Sequence, residues 1–479
     1  MRRAKILATL GPASREPAVL ESLLAAGAGA VRINMSHGTQ EEHVETIARA
    51  RAAAERMKRP LAVLVDLSGP KIRTGVLRNG QPVQLENNAI FTITTRSVAG
   101  DAREVSTNYA GMARDVRAGM RLLIDDGLIE LVAESTTETD VICRVINGGP
   151  LGERKGINLP GAKLPIPSLT DKDRRDLQWA VRQRVDYIAL SFVRRADDCR
   201  EAKSLIEAAG GAQPLVAKIE KSEAIDNLDD IISAADGVMV ARGDLGVETS
   251  VELVPVYQKR IIASANNAGK VVITATQMLQ SMINEPRPTR AEATDVANAV
   301  WDGSDAVMLS AETATGQFPV LAVATMARII ESAETGIPTG SSDIAKWAGK
   351  QSGRVSRALC EAAAFAAEEL NVKVVAIFTE SGLMARRLAA LRPSQRIIAL
   401  TPRREVQNEL SLVWGVEAIV HEPGDNTDDM MRLGERTLLE AGAVQQGDML
   451  VIMAGRLSGL GLSSSVSVHT IGEQVPRQL

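Results

Sequence analysis

Aromatic residues make up only 3% of this 479-residue chain. Its cores must therefore be built from Ala, Val, Leu and Ile, as helix-wrapped parallel sheets are. Cysteine is scarce too: Cys143, Cys199 and Cys360 are single, widely spaced and odd in number. That pattern excludes a disulfide framework and a zinc site and points to reduced thiols in a cytoplasmic protein. There is no basic excess, the net charge being -4, which argues against a nucleic-acid partner. No run of about 18 apolar residues occurs, so no membrane span is expected. Arg2-Arg3 does not read as a targeting signal, because the strand-like AKILATL follows at once, without the apolar region and cleavage site of a signal peptide. What is present, 45% apolar and 24% charged residues, fits a soluble globular protein. It is too long for one ordinary core, so two or three domains are expected.

The most informative stretch runs from Leu215 to Glu248 and reads as strand, helix, strand. Leu215 to Ile219 is a short apolar run, Ser222 is a candidate N-cap, and Ile225, Leu228, Ile231 and Ile232 fall at helical spacing. Lys218 and Glu220 are two apart and project from one face of the strand. Asp244 follows the second strand, in a turn of sequence Arg242-Gly243-Asp244-Leu245-Gly246. Parallel strands joined by one helix bring their C-terminal ends side by side, so Glu220 and Asp244 could share one hard divalent cation beside Lys218. Two carboxylates, a cation and a lysine at one point suit the stabilisation of a phosphate or an enolate. A plain salt bridge at the sheet edge is the alternative.

The rest of the chain repeats the alternation. Strands at Lys5–Leu10, Val31–Met35 and Leu61–Leu67 are separated by helices, the second opened by the capping box Thr39-x-x-Glu42. Helix fails to return after the third strand. Short apolar runs (FTITT, RLLI, LIELV, VICRVI) follow instead, with Asn79-Gly80 and Asp126-Gly127 as hairpin signals, and mark an inserted β domain. Thr170-x-x-Asp173 restarts the alternation, which runs to a last helix over 318–335 with a further box at Thr289-x-x-Glu292. Eight strand–helix units result. Without the insertion they span about 240 residues, close to the roughly 250 of a (β/α)8 barrel. The expected domains are a barrel of residues 1–69 and 168–339, a β lid of 70–167 and a C-terminal α/β domain of 340–479 with an open, mostly parallel sheet.

In such a barrel the residues just past each strand form the active face. Here they are Thr9, Arg32 with Asn34 and Ser36, Asp66, Ser191, Lys218 with Glu220, Asp244, Thr276, and Ser310 with Glu312. Nearly all are polar or ionisable. The insertion leaves from the same face, so it would act as a lid with hinges near Gly69-Pro70 and Pro165-Ile166-Pro167. In the C-terminal domain, Thr379-Glu380-Ser381-Gly382 ends a strand where a helix starts. Such a loop can hold a phosphate on backbone amides, or can simply cap the helix.

The motifs AKILATLGPAS (4–14), VRINMSHGT (31–39), VDLSGPKIRTG (65–75), KGINLPG (155–161), AKIEKSEA (217–224), VMVARGDLG (238–246), ITATQMLQSMINEPRPTRAEATDVANAV (273–300) and MLSAETATG (308–316) together resemble the pyruvate kinase family. The resemblance covers the barrel and both lid connections, while the C-terminal domain carries few diagnostic residues. It implies a homotetramer that converts phosphoenolpyruvate and ADP into pyruvate and ATP. It also implies roles. Arg32 and Lys218 would hold the transferred phosphate, and Glu220 and Asp244 would hold Mg2+ or Mn2+. The amides of Gly243 and Asp244, with the Thr276 hydroxyl, would receive the substrate carboxylate. Arg73, Asn34, His37 and Lys155 would meet the nucleotide. Thr276 with water, or Ser310, would protonate the enolate. A phosphorylated effector in the C-terminal domain is a further possibility, although the 379–384 loop contains no basic residue.

Residues matching the family's K+ ligands are Asn34, Ser36, Asp66 and the carbonyl of Leu67. Enzymes that require K+ carry Thr-Lys where this chain has Leu67-Ser68, and Glu where it has Lys71. An ammonium can replace a monovalent cation, so Lys71 is expected to remove the need for K+. Plainer readings exist for several of these groups: Arg32 paired with Asp66, Thr276 as a strand residue, His37 as a helix-start residue and Lys155 as a solvated lid charge. A metal-dependent lyase acting on pyruvate enolates would share the Glu–Asp pair but would not need Arg73, Lys155 or so large a lid.

Overall fold

A computed structural model describes residues 2–162, 164–336, 354–454 and 465–473. Eight parallel strands close into a barrel: Lys5–Thr9, Ala30–Asn34, Ala62–Asp66, Tyr187–Leu190, Leu215–Ile219, Gly237–Ala241, Val271–Ala275 and Ala306–Leu309. The first strand pairs with the eighth in the register Lys5 to Ala306, which seals the cylinder. The expected strand count and the break after the third strand are both borne out. All three threonine capping boxes form, at Thr39, Thr170 and Thr289.

The N-terminal ends of the strands have their own device. Asp186, Asp236 and Asp305 precede the fourth, sixth and eighth strands. Each accepts a backbone N–H from a neighbouring strand: Val63 N at 2.7 Å, Leu215 N at 3.0 Å and Val272 N at 2.8 Å. These carboxylates satisfy donors that the sheet leaves open where each strand begins.

The inserted segment forms a six-stranded sheet and a small two-stranded one over its own apolar core, centred on Phe91, Ile93, Leu131 and Val145. Asp126-Gly127 turns a hairpin between Arg121–Ile124 and Ile129–Thr136 as expected. Asn79-Gly80 does not: Gly80 bonds back to Leu77, and the strand that follows, Val83–Leu85, pairs with Gly149–Leu151 instead. A turn dipeptide sets local direction, but pairing is decided by which strand lies opposite.

The C-terminal domain is a five-stranded sheet. Val374–Phe378 lies at its centre, with Arg396–Thr401 and Val416–Val420 on one side and Met449–Ala454 on the other. Only Ser465–Thr470, at the edge, runs antiparallel. A helix over Arg404–Leu410 was not foreseen, its seven residues being too few to show a period. The expected boundary at 339/340 lies outside the described residues.

The barrel bottom and this domain share one apolar cluster, which runs from Leu7, Leu64 and Met239 inside the barrel to Val375, Leu388 and Val413. Polar contacts complete the joint. Arg392 pairs with Asp305 at 3.0 Å, and the Trp414 ring lies between the guanidiniums of Arg3 and Arg392, whose Cζ atoms are 5.1 and 4.7 Å from its centroid. Lys5 donates to the Val416 carbonyl and Arg3 to the Pro393 carbonyl.

Candidate functional site

The strand ends place a chain of buried charges at the C-terminal mouth of the barrel. Lys218 Nζ lies 2.8 Å from Glu220 Oε1, 3.3 Å from Asp66 Oδ1 and 2.7 Å from Ser191 Oγ. Asp66 Oδ2 in turn accepts from Arg32 through both Nε and Nη2, each at 2.7 Å. Arg32 Nη1 reaches Thr9 Oγ1 at 3.2 Å. Five consecutive strand ends thus meet in one network, and the Arg32–Asp66 pair weighed as the plainer reading is part of it. The Lys218 side chain is 11% exposed and that of Asp66 1%. Burial works against the Lys218 ammonium, but Asp66 and Glu220 outweigh it and hold the lysine protonated. Asp66 is likewise held ionised against its burial by Lys218 and Arg32.

Glu220 stands differently. Burial, reinforced by the Asp244 charge, raises its pKa against the pull of Lys218 and of the Phe192 amide, which donates at 2.7 Å. Its Oε1 is buried, with the Lys218 ammonium at 2.8 Å as its partner. A carboxylate pushed toward neutrality by burial, and further by a second carboxylate, has the electrostatics a divalent cation would relieve. Among the described residues no three His, Cys, Asp or Glu groups converge on one point. Glu220 and Asp244 would therefore supply only part of a shell, the remainder coming from water and ligand oxygens as Mg2+ favours.

Asp244 sits in a short helix, Arg242–Glu248, rather than in the expected turn. Ser222 is likewise the first helical residue and not the cap, and the helix predicted after it breaks at Asn227 into Ser222–Asp226 and Leu228–Ala234. Gly243 N donates to Thr276 Oγ1 at 2.8 Å, and that hydroxyl donates to the Ala275 carbonyl at 2.7 Å. Thr276 lies beyond the end of its strand at φ 69°, and Gln277 follows at φ 54°. A β-branched residue in left-handed backbone is costly and is not an ordinary strand residue. Arg242 holds this bend in place, donating to the Thr276 carbonyl at 2.7 Å and pairing with Asp295 at 2.6 Å. Ser310, at the end of the eighth strand, donates its amide to Glu312.

Between mouth and lid lies a cavity of about 490 Å³ whose lining includes His37, Lys71, Arg73, Lys155 and Asp244. The His37 imidazole is held toward its neutral form by burial and by the charges of Lys71, Arg73 and Arg32. Lys155 is paired with Asp125 at 2.9 Å and half-exposed. Asn34 does not line the cavity, and its side-chain oxygen accepts from Ser36 N at 3.1 Å. Of the other expected K+ ligands, Asp66 is engaged as above and the Leu67 carbonyl accepts from Ser191 Oγ at 2.8 Å. Lys71 is exposed.

Three contributors were missed from sequence: Phe192, Lys221 and Glu248. Glu248, only 4% exposed, accepts from Asn158 of the lid at 2.8 Å and pairs with Lys221 at 2.6 Å. Lys221 also stands 5.6 Å above the Phe192 ring, and Phe192 itself has φ 55°. A glutamate two residues beyond the Gly-Asp-Leu-Gly run, and a lysine directly after Glu220, were the available signals. The lid's return connection is clamped by Arg194, which donates to the carbonyls of Leu164 and Ile166.

Residues 1–323 match the family described as pyruvate kinase, barrel domain, and residues 357–469 the family described as pyruvate kinase, alpha/beta domain. A pyruvate kinase of Staphylococcus saprophyticus is 42% identical over 100% of this chain and 82% of its own length. Pyruvate kinase 2 of Synechocystis sp. is 44% identical over 97% of this chain and 78% of its own. The crystal structure of a pyruvate kinase from Cryptosporidium parvum superimposes with a TM-score of 0.90 at 36% identity, covering 98% of this chain and 96% of that one.

Proposed function

The chain belongs to the pyruvate kinase family, and from that premise we propose how its groups carry the transfer of a phosphoryl group from phosphoenolpyruvate to ADP, giving ATP and pyruvate. The observation that supports the assignment best is the buried Lys218 ammonium, kept charged at the barrel mouth among Asp66, Glu220 and Ser191. Phosphoryl transfer demands that charge on the moving group be neutralised and that donor and acceptor be held in line. Lys218 supplies a point charge and Arg32 a fork, and Asp66 holds the fork in place from behind.

Glu220 and Asp244 would hold the divalent ion, Mg2+ or Mn2+, which would supply positive charge against the negative charge that develops during transfer. The helix-start amides at Gly243 and Asp244, with the Thr276 hydroxyl, receive the substrate carboxylate, for which Gly243 N and Thr276 Oγ1 exchange the bonds they make to Thr276 and Ala275. Thr276, held by Gly243 N and Ala275 O, is oriented to fix the water that protonates the enolate carbon. Arg73, His37 and Lys155 face the nucleotide phosphates across the lid cavity. Asn34, outside that cavity, acts through the loop it holds at Ser36. The lid of residues 70–167 closes over the mouth and excludes water. We also propose that Lys71 replaces K+, since the Asp66 carboxylate, the Asn34 side-chain oxygen and the Leu67 carbonyl already accept hydrogen bonds from protein groups. A homotetramer in the cytoplasm is proposed from family membership.

The test is a lactate-dehydrogenase-coupled assay with phosphoenolpyruvate, ADP and Mg2+. ADP-dependent pyruvate release is expected, and pyruvate release without ADP would overturn the assignment. In potassium-free buffer, with a large organic cation holding ionic strength, turnover should persist. A hundredfold rise on adding K+ would reject the role of Lys71, whereas a K+ response appearing only in Lys71→Glu would support it.

A further inference from the structure

The loop after the fourth barrel strand meets both connections to the lid. Phe192, its second residue, sets its ring against Gly69 on the outgoing connection, where a β-carbon would collide with Phe192 Cδ2. The Phe192 carbonyl accepts from Ser168 Oγ at 3.0 Å, and the buried Ser168 directly follows Pro165-Ile166-Pro167 on the returning connection. The amide of the same residue donates to Glu220 Oε2 at 2.7 Å. One residue thus touches both chain crossings and a carboxylate assigned to the divalent ion.

Phe192 holds this place in an unfavourable backbone conformation. Its φ of 55° is left-handed, a region that a bulky side chain enters only where its neighbours over-determine it. Those neighbours are the two hydrogen bonds, the Gly69 backbone, and the Lys221 ammonium 5.6 Å from the ring centroid. Lys221 carries the contact onward, since it pairs with Glu248, which accepts from Asn158 of the lid. Gly69 is pinned on the barrel side, its amide donating to Asp173 Oδ1 at 3.1 Å. A glycine at 192 would adopt the same φ without cost and keep both backbone bonds. What the strained residue adds is the ring.

An ion that draws on Glu220 acts on the carboxylate to which this peptide is tied. Close-packed groups transmit a displacement and do not absorb it. The ring passes it to Gly69 and the carbonyl passes it to Ser168, a contiguous physical route between two sites.

We propose that Phe192 is a positioning residue that couples Glu220 to both connections of the lid, so that a divalent ion at Glu220 orders them before nucleotide or substrate is present. The proposal rests on the assignment of that ion to Glu220 and Asp244.

The test uses the full chain and Mn2+ alone, with binding counted by electron paramagnetic resonance and lid order read by hydrogen exchange. In the wild type, saturating Mn2+ should slow exchange about fivefold or more in residues 71–75 and 157–162. In Phe192→Gly, Mn2+ affinity should stay within about threefold while the protection of residues 71–75 disappears. Phe192→Tyr, which restores a ring, should restore the protection. Ser168→Ala removes one hydroxyl and tests the second route without touching Phe192: protection should be lost in 157–162 and kept in 71–75. Protection in Phe192→Gly equal to that of the wild type, or no protection by bound Mn2+ in the wild type, would overturn the proposal. Undiminished Mn2+ affinity in Glu220→Gln would instead overturn the ion's assignment, and the proposal with it.

Discussion

The two ends of the barrel use the same residue types for opposite purposes. At the bottom, Asp186, Asp236 and Asp305 each accept a backbone N–H from a neighbouring strand, and Asp305 adds Arg392 and Trp414 N. At the mouth, Asp66 and Glu220 face side-chain cations, Asp66 between Arg32 and Lys218 and Glu220 beside Lys218. Non-glycine backbone in left-handed conformation occurs at both ends, at Phe192, Thr276 and Gln277 by the mouth and at Arg184 and Arg392 by the bottom. Carboxylates tied to backbone amides hold strand ends together, whereas carboxylates gathered among side-chain cations beside a cavity are poised for a ligand. The state of its oxygens says more about a buried carboxylate's task than its burial does.

Substitutions at the two ends should therefore separate activity from stability. The largest effect is expected for Lys218→Met, which should cut phosphoryl transfer about a thousandfold or more, because it removes charge where the moving group carries it. The fold should survive, as judged by circular dichroism and gel filtration, and transfer within tenfold of wild type would remove Lys218 from its role.

Next comes Asp305→Ala at the bottom. It strips Arg392 and two backbone amides of their partner, so a loss of about 3 kcal/mol in chemical denaturation is expected, with turnover per folded molecule within twofold. A large fall in turnover would erase the distinction between the ends.

Glu220→Gln and Asp244→Asn should raise the half-saturating Mg2+ concentration about tenfold or more, with ADP binding measured without metal little changed. Unchanged half-saturation in both variants would put the cation elsewhere.

The smallest effect concerns Asp186, whose carboxyl is pushed up to about 7, chiefly by burial, with Arg51 opposing and Glu409 adding to the rise. A raised folded-state value means the stabilising contribution is fully present below the ordinary carboxyl range and is lost as pH climbs through about 7. Between roughly pH 4 and 7, wild-type melting temperature should therefore decline relative to Asp186→Asn. Parallel profiles would show that Asp186 stays ionised throughout.

Much of this contrast was legible in the chain itself. Strand order, the polar strand ends and the Lys218–Glu220 pair follow from period and spacing, because both are local properties of a strand. The bottom aspartates were also written there, as Asp before the apolar runs at 187, 237 and 306, but their partners lie on other strands that only barrel closure brings near. The Glu248–Lys221–Asn158 tie was hidden for the same reason, since its members come from three segments. The helix at 242–248 was read as a turn because its two glycines argue against helix, a propensity that the surrounding barrel overrides.

The joint around Trp414 has a consequence for how the protein is made. Arg3 and Lys5 bond to the carbonyls of Pro393 and Val416, partners 390 and 411 positions later. At roughly 5–20 residues per second on the ribosome, the first strand of the barrel waits on the order of 20 to 80 s for the groups that cover its base. During that interval Arg3 and Lys5 lack the carbonyls that they bond in the finished protein. The nascent barrel is then most exposed to aggregation and to chaperones, and a slow last folding step is expected where the first-made and late-made segments meet.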